Sequence, residues 1–452
     1  MSDRALFDSE LTDAPQNQTL RAGETNRTFD LQNHGITEML IQIYRVLFLT
    51  GALFGIVQTG VADDKTIAIA GGEAKTKFAG KAYTAPAPLG EASRTMLTEG
   101  DVEVPLVVVR GTPYEMGHQL GVALQNEIRT FIPATLQGVS HELGVSIEDL
   151  RDVWARTAAY ADDRVEQEML GIADGSGVPL STLQAVHAVP LLMPYSCSSI
   201  AAWGDATEDG HLYQTRNLDW SMEIGAHEFP VIVVYVPEQG IPHVLPTFAG
   251  FIGAHTGMNV KGIALAEMGD ASRKEAPYFV HAPHFTVFFR TMLYDADSLT
   301  KTIDIFEAQP MTKRYHFVFG DGLTEKRAVK ILAHSPEPEG KRVAIWKDND
   351  PTDEFAPNIM SCCVYNDEGR GAFPTLKREA GKLNGEKLVA LSNSIPIKGG
   401  NVVNVVYDAT ALRMWVTYAK GDREAYQRPS VFLDLKALDS DENGTPDVAM
   451  AK

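Results

Sequence analysis

The chain has 452 residues, with 40 Lys and Arg against 59 Asp and Glu, a formal charge of -19 at pH 7, and 44% hydrophobic residues. This composition is ordinary for a globular protein and provides enough apolar material for one large core or two smaller ones. The acidic balance argues against nucleic acid as a partner, because that affinity comes from clustered Lys and Arg. Three cysteines cannot make a disulfide scaffold; Cys362 and Cys363 are adjacent, so Cys197 stands alone.

The N-terminal region reads as a leader followed by an export signal. Residues 1–38 show no sustained apolar period and are predicted to be disordered. In residues 39–62, Arg45 precedes an uncharged stretch at 46–62 with a small-x-small ending, which is typical of a secretory signal, and a start at Met39 would give it a conventional length. A retained membrane anchor through residues 46–62, or a buried helix, is the alternative. We therefore expect an exported protein, either periplasmic, secreted or at the cell surface.

The next stretch predicts a linker and then a helical segment. Residues 63–100 are rich in Ala, Gly, Lys and Thr without a clear period, which indicates a linker. Residues 101–196 open with the β-branched run VEVPLVVVRG and continue as three predicted helices, at 114–137, from Ser146 to about Ile172, and from Ser181 to Pro190. Ser146 with Asp149, and Ser181 with Gln184, are spaced as capping boxes.

Residues 197–434 alternate between β-rich runs and helical stretches, which predicts an α+β layered domain with antiparallel sheets. Helices are expected at about 284–308 and 374–392, and a final hairpin at 401–419. Residues 435–452 are predicted to be an acidic tail. Its DSDENGTPD string begins like a calcium loop, but Met450 stands where a bidentate Glu is needed, so no metal site is predicted.

Residues 194–220, PYSCSSIAAWGDATEDGHLYQTRNLDW, carry the most chemical information. Cys197 lies at the start of one predicted strand, and the returning strand ends in Arg216 and Asp219. Both charged side chains can therefore lie beside the Cys197 thiol. A nearby guanidinium favours the thiolate, which is the nucleophilic form of cysteine. The alternative is an inert core cysteine beside an ordinary ion pair.

The same string, with RGTPYEMGHQLG upstream, resembles the acyl-coenzyme A:isopenicillin N acyltransferase-like family of N-terminal-nucleophile (Ntn) cysteine hydrolases. Choloylglycine hydrolases, penicillin V acylases and acid ceramidase-type amidases are more distant relatives. The similarity spans about residues 103–420, with gaps, and is most specific at GTPYEMG, CSSI and RNLDW. It implies a four-layer αββα sandwich of antiparallel sheets at 197–434, preceded by a helical pro-segment and requiring no cofactor.

The resemblance also implies that the precursor cleaves itself between Ser196 and Cys197. The new α-amino group, with a pKa near 7.7 to 8.0, would then serve as the base for the thiol. Arg216 and Asp219 match the family positions that hold the amine and the thiol. Ser196 stands where the acyltransferases have Gly, but a small residue still permits an N-to-S acyl shift.

Further site residues follow from looser matches. Asn366 in SCCVYND corresponds to the family's oxyanion-binding Asn, although a turn residue is the alternative. Asn259 in GMNVKGIALAEMGD belongs to a motif near a second oxyanion donor, and is itself expected to be a turn residue. In that motif Glu267 or Met268 stands where the family often has Asn. Arg378 lies near a family Ser/Arg position, with a solvated helix face as the alternative.

We therefore predict an autoproteolytically activated cysteine amidohydrolase that cleaves a linear or non-peptide carbon-nitrogen amide bond through a thioester. It would release the acyl group to water or transfer it to an acceptor amine. The partner is expected to be a small-molecule amide or N-acyl substrate, and the sequence does not predict an oligomeric state. A bile-salt or N-acyl-lactone type amidase, or a catalytically silent binding module of the same fold, are the alternatives.

Overall fold

The computed structural model describes residues 90–192, 195–269, 281–334, 342–356, 358–438 and 446. The predicted leader, the export signal and most of the acidic tail lie outside these residues. The strands are β1 (Ser93–Glu99), β2 (Val102–Gly111), β3 (Ser196–Gly204), β4 (Gly210–Asp219), β5 (Pro230–Pro237), β6 (His243–Phe248), β7 (Thr256–Asn259), β8 (Ile263–Gly269), β9 (Tyr315–Asp321), β10 (Arg327–His334), β11 (Arg342–Trp346), β12 (Cys363–Asn366), β13 (Asn401–Asp408), β14 (Arg413–Tyr418) and β15 (Val431–Asp434). The helices are α1 (Pro113–Ala123), α2 (Gln125–Leu143), α3 (Ile147–Ala158), α4 (Asp163–Ser176), α5 (Leu180–His187), α6 (Val189–Leu192), α7 (Phe285–Asp295), α8 (Leu299–Glu307), α9 (Ala372–Arg378) and α10 (Gly385–Ser392).

The strands form two sheets. The nine-stranded sheet has the order β1-β2-β5-β6-β7-β8-β9-β10-β11, and the six-stranded sheet has the order β12-β3-β4-β13-β14-β15. Neighbouring strands are antiparallel, as predicted, except that β2 and β5 are parallel. A parallel pair needs a long crossover, and the chain between β2 and β5 provides one with helices α1 to α6 and the β3–β4 hairpin.

The two sheets pack face to face, and helices cover their outer faces. Strands β8 and β9 contact β3 and β4; Gln214 Nε2 on β4 donates across the interface to the Ala264 and Val318 carbonyls. On the nine-stranded sheet, α7 packs against β7, and on the six-stranded sheet, α10 packs against β4 and β13. The four layers are therefore helix, sheet, sheet and helix, which confirms the predicted αββα class.

The segment before Cys197 is not purely helical, because it supplies two strands to the nine-stranded sheet. The predicted linker at 63–100 is wrong at its C-terminal end: β1 occupies Ser93–Glu99 and pairs with β2. Its side chains alternate between half-buried and exposed positions, as suits an edge strand. Residues 63–89 lie outside the described part of the chain.

The predicted helices of this segment are each divided or shifted. The first is split at Leu124, and the second is split between Ala158 and Asp163, because the Asp162 side chain caps a new helix. The Ser146 capping box is confirmed. The third helix begins at Leu180 after Pro179 and has no side-chain cap, so the predicted Ser181 cap is wrong.

Helices α1 and α4 approach each other closely through glycines. A Cβ atom on Gly117 would lie 2.1 Å from the Glu168 carbonyl oxygen, and one on Gly171 would lie 2.1 Å from the Tyr114 carbonyl oxygen. No larger residue fits at either position without moving backbone, which gives a packing reason for Gly117 in the GTPYEMG motif.

Among the described helices, none is long and apolar enough to cross a membrane.

Candidate active site around Cys197

The β3–β4 hairpin brings the predicted nucleophile and Arg216 together. In its register Cys197 lies opposite Leu218 and Ser196 lies opposite Asp219. Arg216 Nη2 donates to Cys197 Sγ over 3.2 Å, and both side chains are completely buried. A guanidinium at this distance stabilises negative charge on sulfur, so the local geometry suits a nucleophilic thiol.

Burial nevertheless favours the protonated form of this thiol. Desolvation raises the pKa of Cys197 to about 12; Arg216 and a hydrogen bond from the Gly269 backbone lower it, while the charges of Glu267 and Asp219 raise it. At neutral pH the thiolate fraction is therefore very small.

The Arg216 guanidinium lies near a second buried acidic group, the carboxyl group of Glu267. Glu267 Oε2 lies 3.6 Å from Arg216 Nη2, and the Tyr195 hydroxyl donates to Glu267 Oε1 over 2.8 Å. Burial raises the pKa of Glu267 to about 7, although Arg216 lowers it. Glu267 or Met268 stands where the resembled family often has Asn, and the Glu267 carboxyl group is a titratable group beside the guanidinium that contacts Cys197.

Asp219 is fixed by two residues that sequence reasoning missed. Arg370 Nη1 donates to Asp219 Oδ2 over 2.7 Å, and Asn401 Nδ2 donates to Asp219 Oδ1 over 2.9 Å. Burial raises the pKa of Asp219, and the Arg370 charge opposes this rise. Arg370 Nη2 also donates to the Cys197 carbonyl oxygen over 2.7 Å, so Arg370 links the Asp219 carboxylate to the main chain of Cys197.

Of two further predicted site residues, Asn366 lies on the strand next to that of Cys197, whereas Arg378 lies away from the cluster. Asn366 ends β12, is almost completely buried, and lies opposite Ser199, two residues along β3 from Cys197. The structure does not bring Arg378 into the cluster. Its side chain is 65% exposed on α9 and pairs with Glu379, which agrees with the solvated-helix alternative.

Asn259 is a turn residue, as its motif suggested. Its side-chain oxygen accepts from the Lys261 and Ile263 backbone amides, and its Nδ2 donates to the Leu293 and Ala296 carbonyls. All of its hydrogen-bonding capacity is used to join β7, β8 and α7. Asn259 therefore has a structural position and no free group for a substrate.

An apolar pocket lies next to the cluster. It contains about 550 Å³ of empty space, part of it open to solvent, and Arg216 and Tyr195 belong to its wall. Apolar side chains from segments before and after Cys197 in the sequence complete the wall, among them Phe131, Val186, Phe251 and Phe285. Two wall residues have a buried nitrogen without a hydrogen-bond partner in the described structure: Nε1 of Trp220 and Nε2 of His255.

Across the described residues, no group of His, Cys, Asp or Glu is arranged to hold a metal ion.

Comparison with known proteins gives distant relatives. No protein-family model matches the chain. It is 25% identical over 295 residues to protein dcd1B of Dictyostelium discoideum, covering 59% of this chain and 56% of that protein. It is 23% identical over 384 residues to protein dcd1A of the same organism, covering 74% and 82%. The chain thus spans about half the length of dcd1B and most of dcd1A.

Solved structures with similarity to this chain include three amide-hydrolysing enzymes. The Caenorhabditis elegans ortholog of N-acylethanolamine-hydrolyzing acid amidase is 15% identical with a TM-score of 0.37, covering 52% of this chain and 100% of that one. Penicillin V acylase from Agrobacterium tumefaciens is 12% identical with a TM-score of 0.35, covering 54% and 87%. A mutant conjugated bile acid hydrolase from Clostridium perfringens is 10% identical with a TM-score of 0.37, covering 53% and 92%. At these low scores, the assignment of layers rests on the sheet order and packing described above.

Proposed function

We propose that the protein is a self-processing Ntn-type cysteine amidohydrolase that cleaves a carbon-nitrogen amide bond of a small molecule. The observation that supports this most directly is the hydrogen bond from the buried Arg216 guanidinium to the Cys197 thiol. Arg370, which holds both Asp219 and the Cys197 carbonyl, adds to it. Such a cluster of charged groups around a buried thiol is costly to build and fits a catalytic role better than a packing role.

The first step is cleavage of the chain before Cys197. The Cys197 sulfur attacks the Ser196 carbonyl carbon, a sulfur-carbon bond forms, the Ser196 carbon-nitrogen bond breaks, and the thiol proton passes to the departing nitrogen. Water then hydrolyses the thioester, which leaves a Ser196 carboxylate, a free thiol and a new α-amino group on Cys197. Because Asp219 lies opposite Ser196 in the hairpin, its carboxylate is on hand to hold this amino group.

The cleaved form supplies the base that the uncut chain lacks. An α-amino group has a pKa near 7.7 to 8.0, so at neutral pH it can accept the thiol proton and later donate it to a leaving amine. Arg216 stabilises the developing thiolate. Attack on a substrate amide gives a thioester, which water resolves. We assign one oxyanion donor to the Asn366 side chain, on the strand next to Cys197.

The pocket favours an apolar acyl group. Phe131, Val186, Phe251 and Phe285 offer apolar surface, and Arg216 connects this surface with the thiol. The Trp220 and His255 nitrogens can satisfy the polar amide group of such a substrate. We therefore propose an N-acyl amine as the substrate class, with release of the acyl group to water as the default outcome.

Intact-mass analysis of the purified protein tests the processing step. We expect two chains divided between Ser196 and Cys197, and one undivided chain for Cys197→Ala. A panel of N-acyl amines with acyl chains of increasing length tests the substrate class, and hydrolysis is expected to rise with chain length until the pocket is filled. A wild-type chain that stays undivided and yet hydrolyses these amides would refute the α-amine mechanism.

A further inference from the structure

The side chain of Ser196, the residue before the proposed cleavage site, is held by a turn that is distant in sequence. The Ser196 hydroxyl donates to Glu368 Oε2 over 2.8 Å. Arg370 Nη2 donates to the same hydroxyl oxygen over 3.3 Å. The proton and one of the two lone pairs of this hydroxyl are therefore used, which fixes its rotation about the Cα–Cβ bond.

The turn that carries Glu368 is held by hydrogen bonds to its own backbone. Glu368 has a φ of 50°, an uncommon value for a residue with a Cβ atom, and Gly369 follows with a φ of 78°. The Asp367 carboxylate accepts hydrogen bonds from the backbone amides of Gly369 and Ala372. A left-handed conformation of a non-glycine residue costs free energy and persists where the surroundings impose it, often at functional sites.

We propose that Glu368 is a positioning residue for cleavage of the chain, an inference that rests on the proposed function. By fixing the Ser196 side chain, Glu368 limits the orientations of the Ser196 carbonyl relative to the Cys197 sulfur. A reaction between two adjacent groups gains rate when the attacking atom and the carbonyl are held in a productive arrangement.

The position of Ser196 separates the role of Glu368 from that of Arg370. After cleavage Ser196 is the end of the other chain, so its contact with Glu368 has no part in later turnovers. Its new carboxylate would also face the Glu368 carboxylate, and this repulsion favours departure of the Ser196 end. Arg370 Nη2 also contacts Glu368 Oε2 at 3.4 Å, but its bonds to Asp219 and to the Cys197 carbonyl, both 2.7 Å long, do not involve Glu368 and should remain after cleavage. Glu368 therefore acts in maturation alone, whereas Arg370 acts in maturation and in turnover.

Cell-free synthesis followed by intact-mass analysis over time measures the cleavage rate. We expect Glu368→Ala and Ser196→Ala each to slow cleavage by about tenfold to a hundredfold, as for loss of a hydrogen bond to a charged group. The double variant should be no slower than the slower single variant, because both remove the same contact. Glu368→Gln, which keeps an acceptor oxygen, should recover part of the rate. Glu379→Ala, which removes a carboxylate that pairs on the surface with Arg378, is the control and should cleave at the wild-type rate.

The activity of the cleaved protein distinguishes positioning from general damage. Once cleaved, with active sites counted by alkylation of Cys197 in a parallel sample, the Glu368→Ala and Ser196→Ala proteins should hydrolyse an N-acyl amine with the wild-type kcat. Equal losses in cleavage and in kcat, or single-variant losses that multiply in the double variant, would overturn the inference. A wild-type chain that is never cleaved would refute the proposed function. A cleaved wild type with unaffected Glu368→Ala and Ser196→Ala rates would refute only the role of Glu368.

Discussion

Breaking the buried ion pair between Glu168 and Arg290 is expected to destabilise the chain strongly, because it leaves one charge buried without its partner. The pair joins α4, before Cys197, to α7, after it. Arg290 Nη1 and Nη2 contact the two Glu168 carboxylate oxygens at 3.1 and 2.7 Å, and both side chains are 1% exposed. Arg290→Met would leave the Glu168 carboxyl buried without its cation, and such a loss typically lowers the free energy of unfolding by about 3–5 kcal/mol. This corresponds to a folded-to-unfolded ratio lower by roughly a hundredfold to several thousandfold.

Urea unfolding followed by tryptophan fluorescence measures this loss. The Cys197→Ala background suits the assay, because its single chain is expected to unfold without a change in the number of molecules. Asp295→Asn is the matched control: Asp295 is also on α7 and pairs with Arg164 of α4, but these side chains are 39% and 25% exposed. Exposed pairs contribute about 0–1 kcal/mol, so the control should change little.

A double substitution, Glu168→Gln with Arg290→Met, removes both charges and should recover much of the lost stability. If Arg290→Met lowers the free energy of unfolding no more than Asp295→Asn does, the reasoning that burial makes this pair costly to break is wrong.

Three further predictions concern the site. In the cleaved protein, Arg370→Met should lower kcat for amide hydrolysis by about tenfold or more, because a buried carboxylate loses its partner; the exposed Arg378→Met should change kcat by less than about twofold, and equal effects would contradict the assignment. Folding raises the pKa of Glu267 from 4.5 to about 7, so the folded state binds the proton more tightly. The free energy of unfolding of the wild type should therefore fall, relative to Glu267→Gln, as the pH rises from 4.5 to 7, and parallel stability curves would contradict this. Iodoacetamide should label Cys197 of the cleaved protein before Cys363, because the new α-amino group can accept the Cys197 thiol proton, whereas burial raises the thiol pKa of Cys363 to about 12; the opposite order in a peptide map would refute the assigned nucleophile.

Local sequence patterns predicted the hairpin that carries the candidate nucleophile. The apolar runs at β3 and β4, with a turn between them, were enough to place Arg216 near Cys197, because a hairpin pairs its two ends. The pattern of β1 gave no such signal. Its sequence, SRTMLTE, mixes polar and apolar residues, and its half-exposed edge position needs no continuous apolar run.

The sequence could not predict the partners that come from distant parts of the chain. Arg370 is separated by 173 positions from Cys197 and by 151 from Asp219, and it follows a turn whose left-handed Glu368 no local rule would favour. The resemblance directed attention to Arg378 instead, eight residues further along, where an exposed helix offers an equally basic side chain. Only the packing of β12 against β3 identifies which of the two arginines reaches the site.

The parallel pairing of β2 with β5 has a consequence for how the protein could be produced. Cleavage before Cys197 would leave β1 and β2 in one polypeptide and the rest of their sheet in another, although a single translation product delivered them in equal amounts and already paired. Once denatured, the two pieces would have to find each other in solution, and strand pairing that was intramolecular would become concentration-dependent. The processed protein should therefore stay folded because it unfolds slowly, and not because it refolds reversibly. Fragments expressed separately should assemble poorly.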